Sequence, residues 1–411
     1  MLDIKFIRQN PEKVKEGCSK KKIKCDINRL LAIDGQRREF QASIEELRAK
    51  QNKMSGQKKP EKKEIEELKK IKNEIKAKEE ELEKTGGEFE TLMRQVPNLP
   101  LDDVIEGESD ADNKVLREMG EKPEFDFEPK EYTEIAEALG IIDTERAARA
   151  SGSRFGYIKG GAALLEFALV KLALETAMEK GFKPVVPPVM LGDKAMRGMG
   201  YLDRGEDEVY HLEKDNLYLV GTSEQSIGAM HMDEILEEDS LPLRYIGFST
   251  CFRREAGSYG KDTKGILRVH QFDKMEMFSF CKPENSEEEH KMFLEIEESL
   301  MQALKIPYRV IDICAADLGD PAAKKWDIEA WMPGQNQYRE THSTSNCTDW
   351  QARRLNIRYR ASDGVKFVYT LNGTAFSMRP LIAILENCQR KDGKIDVPKV
   401  LQKYAGFKII D

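Results

Sequence analysis

The sequence predicts an α+β protein in which two long N-terminal helices precede a globular body that contains an antiparallel β-hairpin. Apolar residues recur at helical spacing through two runs between about residues 28 and 96. From residue 125 onward, helical and strand-like segments alternate, and all three tryptophans lie in this part of the chain. Residues 243–280 have the pattern of two strands around a glycine-rich loop. These observations indicate a helical arm attached to a mixed body.

The two N-terminal helices are predicted to pair as a coiled coil. In the second run the apolar residues are spaced seven apart, at Leu68, Ile75, Leu82, Phe89 and Val96. A break containing Gly56 and Pro60 separates the two runs, so the helices are expected to fold back as an antiparallel hairpin. At a rise of about 1.5 Å per residue, such helices reach roughly 40 to 50 Å.

Positive charge is concentrated in the N-terminal part of the chain. Residues 1–63 carry eighteen Lys and Arg against nine Asp and Glu, although the whole chain has a formal net charge of −8. A charged coiled coil is often only a solvated rod or a dimerisation element. A basic tip also fits an arm that contacts a phosphate backbone. The lysines of the predicted tip are Lys53, Lys58, Lys59, Lys62 and Lys63.

The composition divides the chain into three parts. Residues 1–105 hold the arm, residues 106–124 are acidic with little periodicity, and residues 125–411 form the body. The acidic segment is predicted to be a linker, because it lacks the apolar repeat that an element needs to pack.

Cysteine and histidine spacing argues against a structural metal. The seven cysteines include no C-x-x-C pair and the five histidines lack ligand spacing, so no zinc is expected. The N-terminus has no apolar signal segment, which predicts reduced thiols in a cytoplasmic protein. The longest apolar stretch, residues 162–178, is interrupted by Glu166, Lys171 and Glu175. It is therefore predicted to be an amphipathic helix rather than a membrane span.

The hairpin at residues 243–280 is the strongest candidate for a functional site. Alternation along a strand predicts that Arg253 and Glu255 share a face, and that Arg268, Phe272 and Glu276 share a face on the second strand. The opposite face offers apolar residues to a core. A solvated salt-bridge face is one interpretation. The other is a nucleotide site, in which a base stacks on the ring and guanidinium groups hold phosphates. Since the chain lacks a P-loop, a nucleotide would be held by side chains on a sheet.

Several segments resemble one family along the whole chain. They are MLDIKFIRQNPEKV, PNLP, GSRF, GFKPVVPPVM, GTSE, CFRREAGSYGKDTKGILRVHQFDKMEM, NQYRETHSTSNCTDWQARRL and TLNGTAFSMRPLIAILEN. In these segments the chain resembles bacterial-type seryl-tRNA synthetases, which are class II aminoacyl-tRNA synthetases. The resemblance implies a catalytic domain built on an antiparallel sheet of six or seven strands flanked by helices. It also implies a homodimer whose contact includes residues 181–189.

The resemblance implies an ATP site and a catalytic set. Arg253 is expected at the α-phosphate, Arg268 and Arg379 at the phosphate tail, and Glu255 and Phe272 at the adenine. The implied catalytic residues are Arg253, Glu255, Arg268 and Arg379. The implied ATP-binding residues are Arg253, Arg254, Glu255, Arg268, Val269, Phe272, Glu340, Thr341, His342, Ser343 and Arg379. Glu340 and Ser343 are expected to bind Mg²⁺, which prefers oxygen ligands.

The resemblance also implies a serine site and a tRNA partner. The residues expected at serine are Thr222, Ser223, Glu224, Arg253, Glu276, Asn372 and Thr374. The implied reaction is formation of seryl-adenylate and transfer of the seryl group to tRNA(Ser), and to tRNA(Sec) where that tRNA exists. The arm is expected to hold the tRNA by shape more than by base reading.

Two other functions remain open from the sequence. One is a ligase that loads a carrier protein, although such relatives lack the long arm. The other is a tRNA-binding paralogue with reduced catalysis. The third motif, NGTAFSMRPL, is one residue shorter before Arg379 than the family pattern, a departure that bears on the approach of Thr374 and Arg379 to the expected site.

Overall fold

The computed structural model describes residues 1–55, 62–256 and 264–411, which divide into two compact units, residues 1–97 and 98–411. The first unit is helical. Its helices are α1 (Ile4–Gln9), α2 (Pro11–Lys20), α3 (Ile27–Ser55) and α4 (Lys62–Gln95).

Helices α3 and α4 pack as an antiparallel pair. Ile44, Leu47, Ile71 and Ile75 are buried together between them. Ion pairs of 2.7 Å join Arg29 to Glu88 and Arg48 to Glu79, so residues further along α3 meet residues earlier in α4. The predicted two-helix arm is confirmed. Of the tip lysines, Lys53, Lys62 and Lys63 are exposed, whereas Lys58 and Lys59 lie outside the described residues.

A buried carboxylate ties α1 to α3. Asp34 is fully buried, and Arg8 Nε donates to its Oδ2 at 2.6 Å. Burial opposes ionisation of Asp34, but Arg8, Arg38 and Arg37 outweigh it and lower the pKa of the carboxyl. Charge pairing therefore offsets the cost of burying this acid.

The second unit combines helices with β-sheets. Its helices are α5 (Tyr132–Leu139), α6 (Thr144–Ser151), α7 (Gly160–Glu179), α8 (Asp193–Met199), α9 (Ser223–Gly228), α10 (Ser286–Leu304), α11 (Trp350–Leu355), α12 (Met378–Asn387) and α13 (Lys399–Ala405). Its strands are β1 (Lys114–Met119), β2 (Ile142–Asp143), β3 (Tyr157–Ile158), β4 (Lys183–Val185), β5 (Met190–Gly192), β6 (His211–Leu212), β7 (Leu217–Leu219), β8 (Ile235–Glu237), β9 (Leu243–Phe252), β10 (Gln271–Cys281), β11 (Tyr308–Asp312), β12 (Lys324–Met332), β13 (Gln337–Asn346), β14 (Arg358–Ala361), β15 (Gly364–Phe367), β16 (Tyr369–Phe376), β17 (Ile395–Asp396) and β18 (Ile409–Ile410). No helix in the described ranges is long and apolar enough to cross a membrane.

One large sheet organises this unit. It has eight strands in the order β1-β11-β12-β13-β16-β10-β9-β4. Neighbouring strands are antiparallel except at one edge, where β4 runs parallel to β9. The expected count of six or seven strands is therefore too low, although the antiparallel class II arrangement of the core holds.

The prediction of a linker at residues 106–124 is wrong for part of that segment. Residues 114–119 form β1, which pairs with β11 at the other edge of the sheet. All six side chains of this strand are exposed. An edge strand held by main-chain hydrogen bonds needs no apolar alternation, so the pattern that identifies half-buried strands is missing here.

The larger hydrophobic cluster lies on one face of the large sheet. Met275 and Met277 of β10 are buried there, as predicted from alternation, and they join the same cluster as Phe293 of α10 and Leu381 of α12. The other face of β10 carries residues of the pocket described below in its first half, and Phe278 and Phe280 of a second hydrophobic cluster in its second half. The pleat thus separates core from site along a single strand.

Helix α10 places a carboxyl group inside this core. Glu297 has no exposed surface, and its carboxyl group makes no side-chain hydrogen bond in the described part of the chain. Burial and the negative charges of Glu276 and Asp327 raise its pKa well above the ordinary value. These surroundings favour the protonated form of Glu297.

We expect Glu297→Met to stabilise the fold, because methionine has a similar size and lacks the buried polar group. Leaving such a group unsatisfied costs about 1–3 kcal/mol. The unfolded chain releases this proton above about pH 4.3, whereas the folded chain keeps it, so the free energy of unfolding falls as pH rises toward the folded-state pKa. The gain should therefore be larger at about pH 8 than at about pH 5. Thermal unfolding at both pH values measures it. Glu295→Met, on the exposed side of α10, is the matched control, and an equal gain in both variants would contradict the assignment.

Candidate active site

A pocket of about 640 Å³ opens on the polar face of the large sheet. Its floor comes from β10, β13 and β16, and its rim from the segments around β9 and α12. The predicted site residues that line it are Thr222, Glu224, Arg253, Glu255, Arg268, Val269, Phe272, Glu276, Glu340, Thr341, Ser343, Asn372, Thr374 and Arg379.

The hairpin residues reach this pocket by a different route from the one predicted. Strand β9 ends at Phe252 and β10 begins at Gln271, so Arg253, Glu255 and Arg268 lie outside the strands. In the described part of the hairpin, the main-chain hydrogen bonds extend as far as the bond from Arg253 N to His270 O at 3.0 Å. Glu255 then adopts a positive φ of 53°, which turns the chain away from the ladder. The prediction that strand alternation brings these three residues onto one face is therefore wrong, although all three line the pocket.

Contacts outside the ladder position the two arginines. Arg268 Nη1 donates to Glu255 Oε2 at 2.8 Å. Arg253 Nε donates to Gly221 O at 3.1 Å, and its guanidinium carbon lies 5.3 Å from the centre of the Phe272 ring. A flat ring beside two guanidinium groups is suited to a nucleotide base with its phosphates. The predicted glycine-rich loop between the strands falls mostly on residues 257–263, outside the described residues.

A second, acidic cluster fills the deep end of the pocket. Thr222 Oγ1 donates to Glu276 Oε1 at 3.0 Å, and Thr374 Oγ1 lies 3.5 Å from the same oxygen. Asn372 Nδ2 donates to Glu224 Oε1 at 3.2 Å. The predicted serine-binding residues therefore converge, with one exception. Ser223 Oγ donates to Gly247 O at 2.9 Å, and Ser223 is not among the lining residues.

Sequence reasoning missed three residues in this cluster. Tyr201 OH donates to Glu224 Oε2 at 2.9 Å, and Gln351 Nε2 donates to Glu224 Oε1 at 3.0 Å. Lys274 Nζ contacts Glu276 Oε1. Only Lys274 carried a usable signal, because alternation along β10 places it on the same face as Phe272 and Glu276. The other two come from α11 and the segment after α8, which only the fold brings together.

Burial shifts the pKa values of Glu224 and Tyr201 in this cluster. Burial and the charge of Glu276 raise the pKa of Glu224, and donors from Gln351 and Tyr201 oppose that rise. Burial and the neighbouring Glu224 raise the pKa of Tyr201 well above its usual value. The Tyr201 hydroxyl therefore stays protonated and acts as a hydrogen-bond donor.

A β-bulge brings the third group of predicted residues into the pocket. Ile328 pairs with His342 and Glu329 with Glu340, so Thr341 is an extra residue on β13. Glu340 and Ser343 are three apart and would face opposite sides of a regular strand, but the bulge lets both line the pocket. His342 takes the core face and does not line the pocket, and burial lowers its pKa to about 3.

Arg379 lies at the start of α12, beside this bulge. Its Nη1 is 3.1 Å from Glu340 Oε2 and donates to Glu340 O at 2.9 Å. Loss of solvent opposes ionisation of Glu340, but Arg379 and Lys325 outweigh that effect and lower the pKa of the carboxyl. Pro380 falls in the first turn of α12, where proline is tolerated. The shortened third motif therefore still delivers Arg379 to the pocket.

The remaining predicted residue, Arg254, does not line the pocket. Its main-chain N–H donates to Glu208 O at 2.9 Å, and its guanidinium carbon lies 5.9 Å from the Tyr210 ring centre. Because Arg253 and Arg254 are adjacent, only one of them can project into the pocket from this extended segment.

Comparison with known proteins gives a consistent result. Residues 208–388 match the family model for the class II tRNA synthetase core domain (G, H, P, S and T), and residues 1–100 match the seryl-tRNA synthetase N-terminal domain. The serine–tRNA ligases of Thermobifida fusca and Acidothermus cellulolyticus are each 46% identical to this chain, covering 100% of it and 99% of each relative. This chain belongs to the seryl-tRNA synthetase family.

Solved structures of seryl-tRNA synthetases agree with this assignment. The crystal structure of the enzyme from Pyrococcus horikoshii complexed with ATP has a TM-score of 0.93 at 41% identity, covering 100% of this chain and 99% of that one. The cytoplasmic serine–tRNA ligase of Naegleria fowleri in complex with AMP has a TM-score of 0.89 at 33% identity, with the same coverage. The predicted family, fold class and ligase activity are confirmed.

The Tyr201 contact leads to a specific expectation for serine binding. Tyr201→Phe removes the donor to Glu224 but keeps the ring, so we expect the KM for serine to rise by up to about tenfold, the equivalent of about one hydrogen bond. The KM for ATP should not change. Pyrophosphate exchange at varied serine and ATP measures both. Tyr218→Phe, whose hydroxyl lies 3.4 Å from Asp193 outside the pocket, is the control. A larger effect on ATP than on serine would refute the placement of Glu224.

Proposed function

We propose that this chain activates L-serine with ATP to form seryl-adenylate and transfers the seryl group to the 3′-terminal adenosine of tRNA(Ser). The observation that carries the proposal is the meeting of two clusters in one pocket. Arg253, Arg268 and Arg379 gather positive charge, while Glu224 and Glu276 gather negative charge at the deep end. The pocket thus fits an anionic nucleotide beside a small cationic amine.

The arginine cluster fits the nucleotide. The relatives from P. horikoshii and N. fowleri were solved with ATP and AMP, respectively. In this chain the Phe272 ring is placed to stack on the adenine, and Glu255 is placed on the adenine side of the nucleotide. Glu255 Oε2 accepts a hydrogen bond from Arg268 Nη1 at 2.8 Å. Arg253 is placed for the α-phosphate and Arg379 for the phosphate tail. Guanidinium groups suit this role because they pair with phosphate oxygens in a fixed geometry.

The acidic cluster fits serine. Glu276 and Glu224 suit an ammonium group, and Thr222, Thr374 and Asn372 supply neutral partners. A site that hydrogen-bonds the hydroxyl of serine rejects alanine, because alanine leaves those buried partners unpaired. The site therefore favours a small hydroxylated amino acid.

The first step joins the two substrates within the pocket. A carboxylate oxygen of serine attacks the α-phosphorus of ATP, the bond from that phosphorus to the bridging oxygen breaks, and pyrophosphate leaves with the electron pair. Both reactants are anions. Arg253, Arg268 and Arg379 reduce their repulsion and stabilise the charge that spreads over the phosphate in the transition state.

Magnesium fits the residues beside Arg379. Glu340 and Ser343 offer one carboxylate and one hydroxyl on the same face, and both are oxygen donors of the kind that Mg²⁺ prefers. The described residues contain no group of three or more His, Cys, Asp or Glu that could hold a metal alone, so phosphate oxygens would complete the coordination. When bound, Mg²⁺ supplies further neutralisation of the phosphates. Glu340 is suited to this role because its lowered pKa keeps it ionised.

The second step uses the arm. The terminal ribose hydroxyl of tRNA attacks the carbonyl carbon of the adenylate, forms an ester and releases AMP. Helices α3 and α4 present Lys53, Lys62 and Lys63 on their exposed surface at the basic end of the hairpin. Such contacts hold a phosphate backbone without reading sequence. The presence of this arm disfavours a ligase specific for carrier proteins.

A homodimer and a cytoplasmic location complete the proposal. Residues 181–189 and α7 carry large apolar side chains on the surface of the chain, including Phe167 at 65% and Val186 at 87% exposure. Leu164 and Met178 of α7 are also exposed. Apolar surface of this extent is typical of a protein interface, which supports pairing of two copies through this face.

Pyrophosphate exchange tests the activity directly. Purified protein with ATP and Mg²⁺ should exchange pyrophosphate into ATP when serine is present, and not when alanine or threonine replaces it. The protein should then charge tRNA(Ser). Arg253→Ala should reduce exchange by about a hundredfold or more, the scale of losing a charge-stabilising group in the transition state. Arg254→Ala, which does not line the pocket, is the matched control. Exchange with an amino acid other than serine would overturn the substrate assignment.

Deletion of the arm tests how the two steps divide. Replacing residues 38–85 by a short turn should leave serine activation nearly unchanged, because these residues belong to the other compact unit. Charging of tRNA should fall by about a hundredfold or more, since several phosphate contacts are lost together. Exchange and charging rates measured on the same preparation separate the two effects. Loss of exchange in the shortened protein would instead show that the arm supports the catalytic unit.

A further inference from the structure

Tyr132, the first residue of α5, is a buried tyrosine whose hydroxyl binds main-chain groups of a distant segment. It is only 3% exposed and belongs to the larger hydrophobic cluster. Its hydroxyl accepts hydrogen bonds from Ile266 N at 2.9 Å and Leu267 N at 3.2 Å, and donates to Lys264 O at 3.3 Å. Because a phenolic hydroxyl can donate and accept together, this one side chain fixes the main chain of residues 264–267 at three points.

A glycine lets the main chain lie directly against this hydroxyl. Gly265 has a positive φ of 73°, a conformation that favours glycine. A Cβ atom added to Gly265 would lie 2.0 Å from the Tyr132 hydroxyl oxygen, which is far inside van der Waals contact. The turn at residues 264–267 therefore fits closely around the tyrosine side chain.

The segment that Tyr132 holds leads directly into the pocket. Leu267, Arg268 and Val269 line the pocket, whereas Tyr132 does not. Arg268 follows the held turn without an intervening residue, and its Nη1 donates to Glu255 Oε2 at 2.8 Å. An arginine side chain has several rotatable bonds, so the position of its main chain limits where its guanidinium group can reach. The hydroxyl of Tyr132 thus acts on Arg268 through the main chain.

The main chain of Tyr132 is itself bound to helix α12. Tyr132 N donates to Glu386 Oε1 at 3.1 Å. Glu386 has no exposed surface, and its Oε2 also accepts a hydrogen bond from Gly334 N at 3.0 Å. Helix α12 holds Arg379 in its first turn. Tyr132 therefore connects the segment that contains Arg268 to the helix that contains Arg379.

We propose that Tyr132 is a positioning residue for the phosphate tail of ATP, because its hydroxyl fixes residues 264–267 and so places the guanidinium group of Arg268. This inference rests on the proposed function and deepens it. A guanidinium group binds phosphate oxygens well only in a fixed geometry, so a small displacement of its main chain weakens the contact. The effect should be confined to the phosphates beyond the α-phosphate, because Arg253 is placed for the α-phosphate from another segment.

Tyr132→Phe tests this role by comparing two nucleotides. The variant keeps the ring and removes the three hydrogen bonds to the main chain. The Kd for ATP in the presence of Mg²⁺, measured by calorimetry, should rise about tenfold, the scale of one lost hydrogen bond to a charged group. The Kd for AMP should change less than about twofold, because AMP lacks the phosphate tail. The KM for serine in pyrophosphate exchange should also change less than about twofold.

Tyr308→Phe is the matched control for loss of a buried hydroxyl. Tyr308 is 1% exposed and lies outside the pocket. Its hydroxyl accepts from Gln302 Nε2 at 2.8 Å and donates to Glu298 Oε1 at 3.1 Å. This variant should lower the thermal stability but leave both Kd values within about twofold. An equal loss of ATP affinity in both variants would overturn the role of Tyr132, because the cause would then be general loosening of the fold.

A double-mutant cycle tests whether Tyr132 acts through Arg268. When Arg268 is already replaced by alanine, there is no guanidinium group left to position. Tyr132→Phe should therefore change the Kd for ATP by less than about twofold in the Arg268→Ala background. A further tenfold rise in that background would overturn the proposed route.

A second variant and the choice of ligands keep the test decisive. If Tyr132→Phe does not fold, Gly265→Ala replaces it, because the added Cβ displaces the same turn. Gly140→Ala is its control, since Gly140 has a φ of 63° and no described atom within 4 Å of an added Cβ. Nucleotide binding needs no serine, so failure of serine-dependent exchange in the unchanged protein overturns the proposed function alone. An equal change in the Kd values for ATP and AMP overturns the role of Tyr132.

Discussion

The pleat of β10 is the constraint on which the rest of the catalytic unit depends. Met275 and Met277 enter the core on one face, while Phe272, Lys274 and Glu276 enter the pocket on the other. The strand lies between β16 and β9, so it cannot slip by one residue without exchanging the two sets. Burial of the apolar face thereby positions the polar face. The packing that stabilises the sheet also aligns the groups that bind the substrates.

Two β-bulges modify this regular plan where the site needs it. At Thr341 an extra residue lets Glu340 and Ser343 share the pocket face. On β16 a second extra residue, Ala375, lies between the partners of Met275 and Glu276. Thr374 therefore faces the pocket, while both Ala375 and Phe376 enter the core. A one-residue insertion re-aims a side chain without disrupting the sheet, because the ladder resumes on either side.

Buried charge is handled in more than one way in this chain. Asp34 in the helical unit is paired with arginines and stays ionised. Glu297 has no such partner and stays protonated. Glu276 is a third case, since Lys274 contacts one of its oxygens and the other is buried without a hydrogen-bond partner among the described residues. Stability favours full pairing or full neutralisation.

The helical arm, the alternation of β10 and the family could all be predicted from the amino-acid sequence. Heptad spacing and strand alternation are local patterns that reflect burial directly, so they can be recognised in the sequence without a structure. Edge strand β1 was missed because main-chain pairing leaves no side-chain pattern. Tyr201 and Gln351 were missed because contacts from distant segments to Glu224 leave no spacing to read.

Tertiary structure alone decided which residues of each matched motif enter the pocket. Ser223, Arg254 and His342 stand beside lining residues in the sequence but face elsewhere. The bulge at Thr341, set by the pairing of β12 with β13, turns His342 toward the core. The positive φ of Glu255 turns the chain just after Arg254. Strand pairing also places Lys274 against Glu276. Local sequence specifies the chemical groups, whereas the register between strands decides which of them meet.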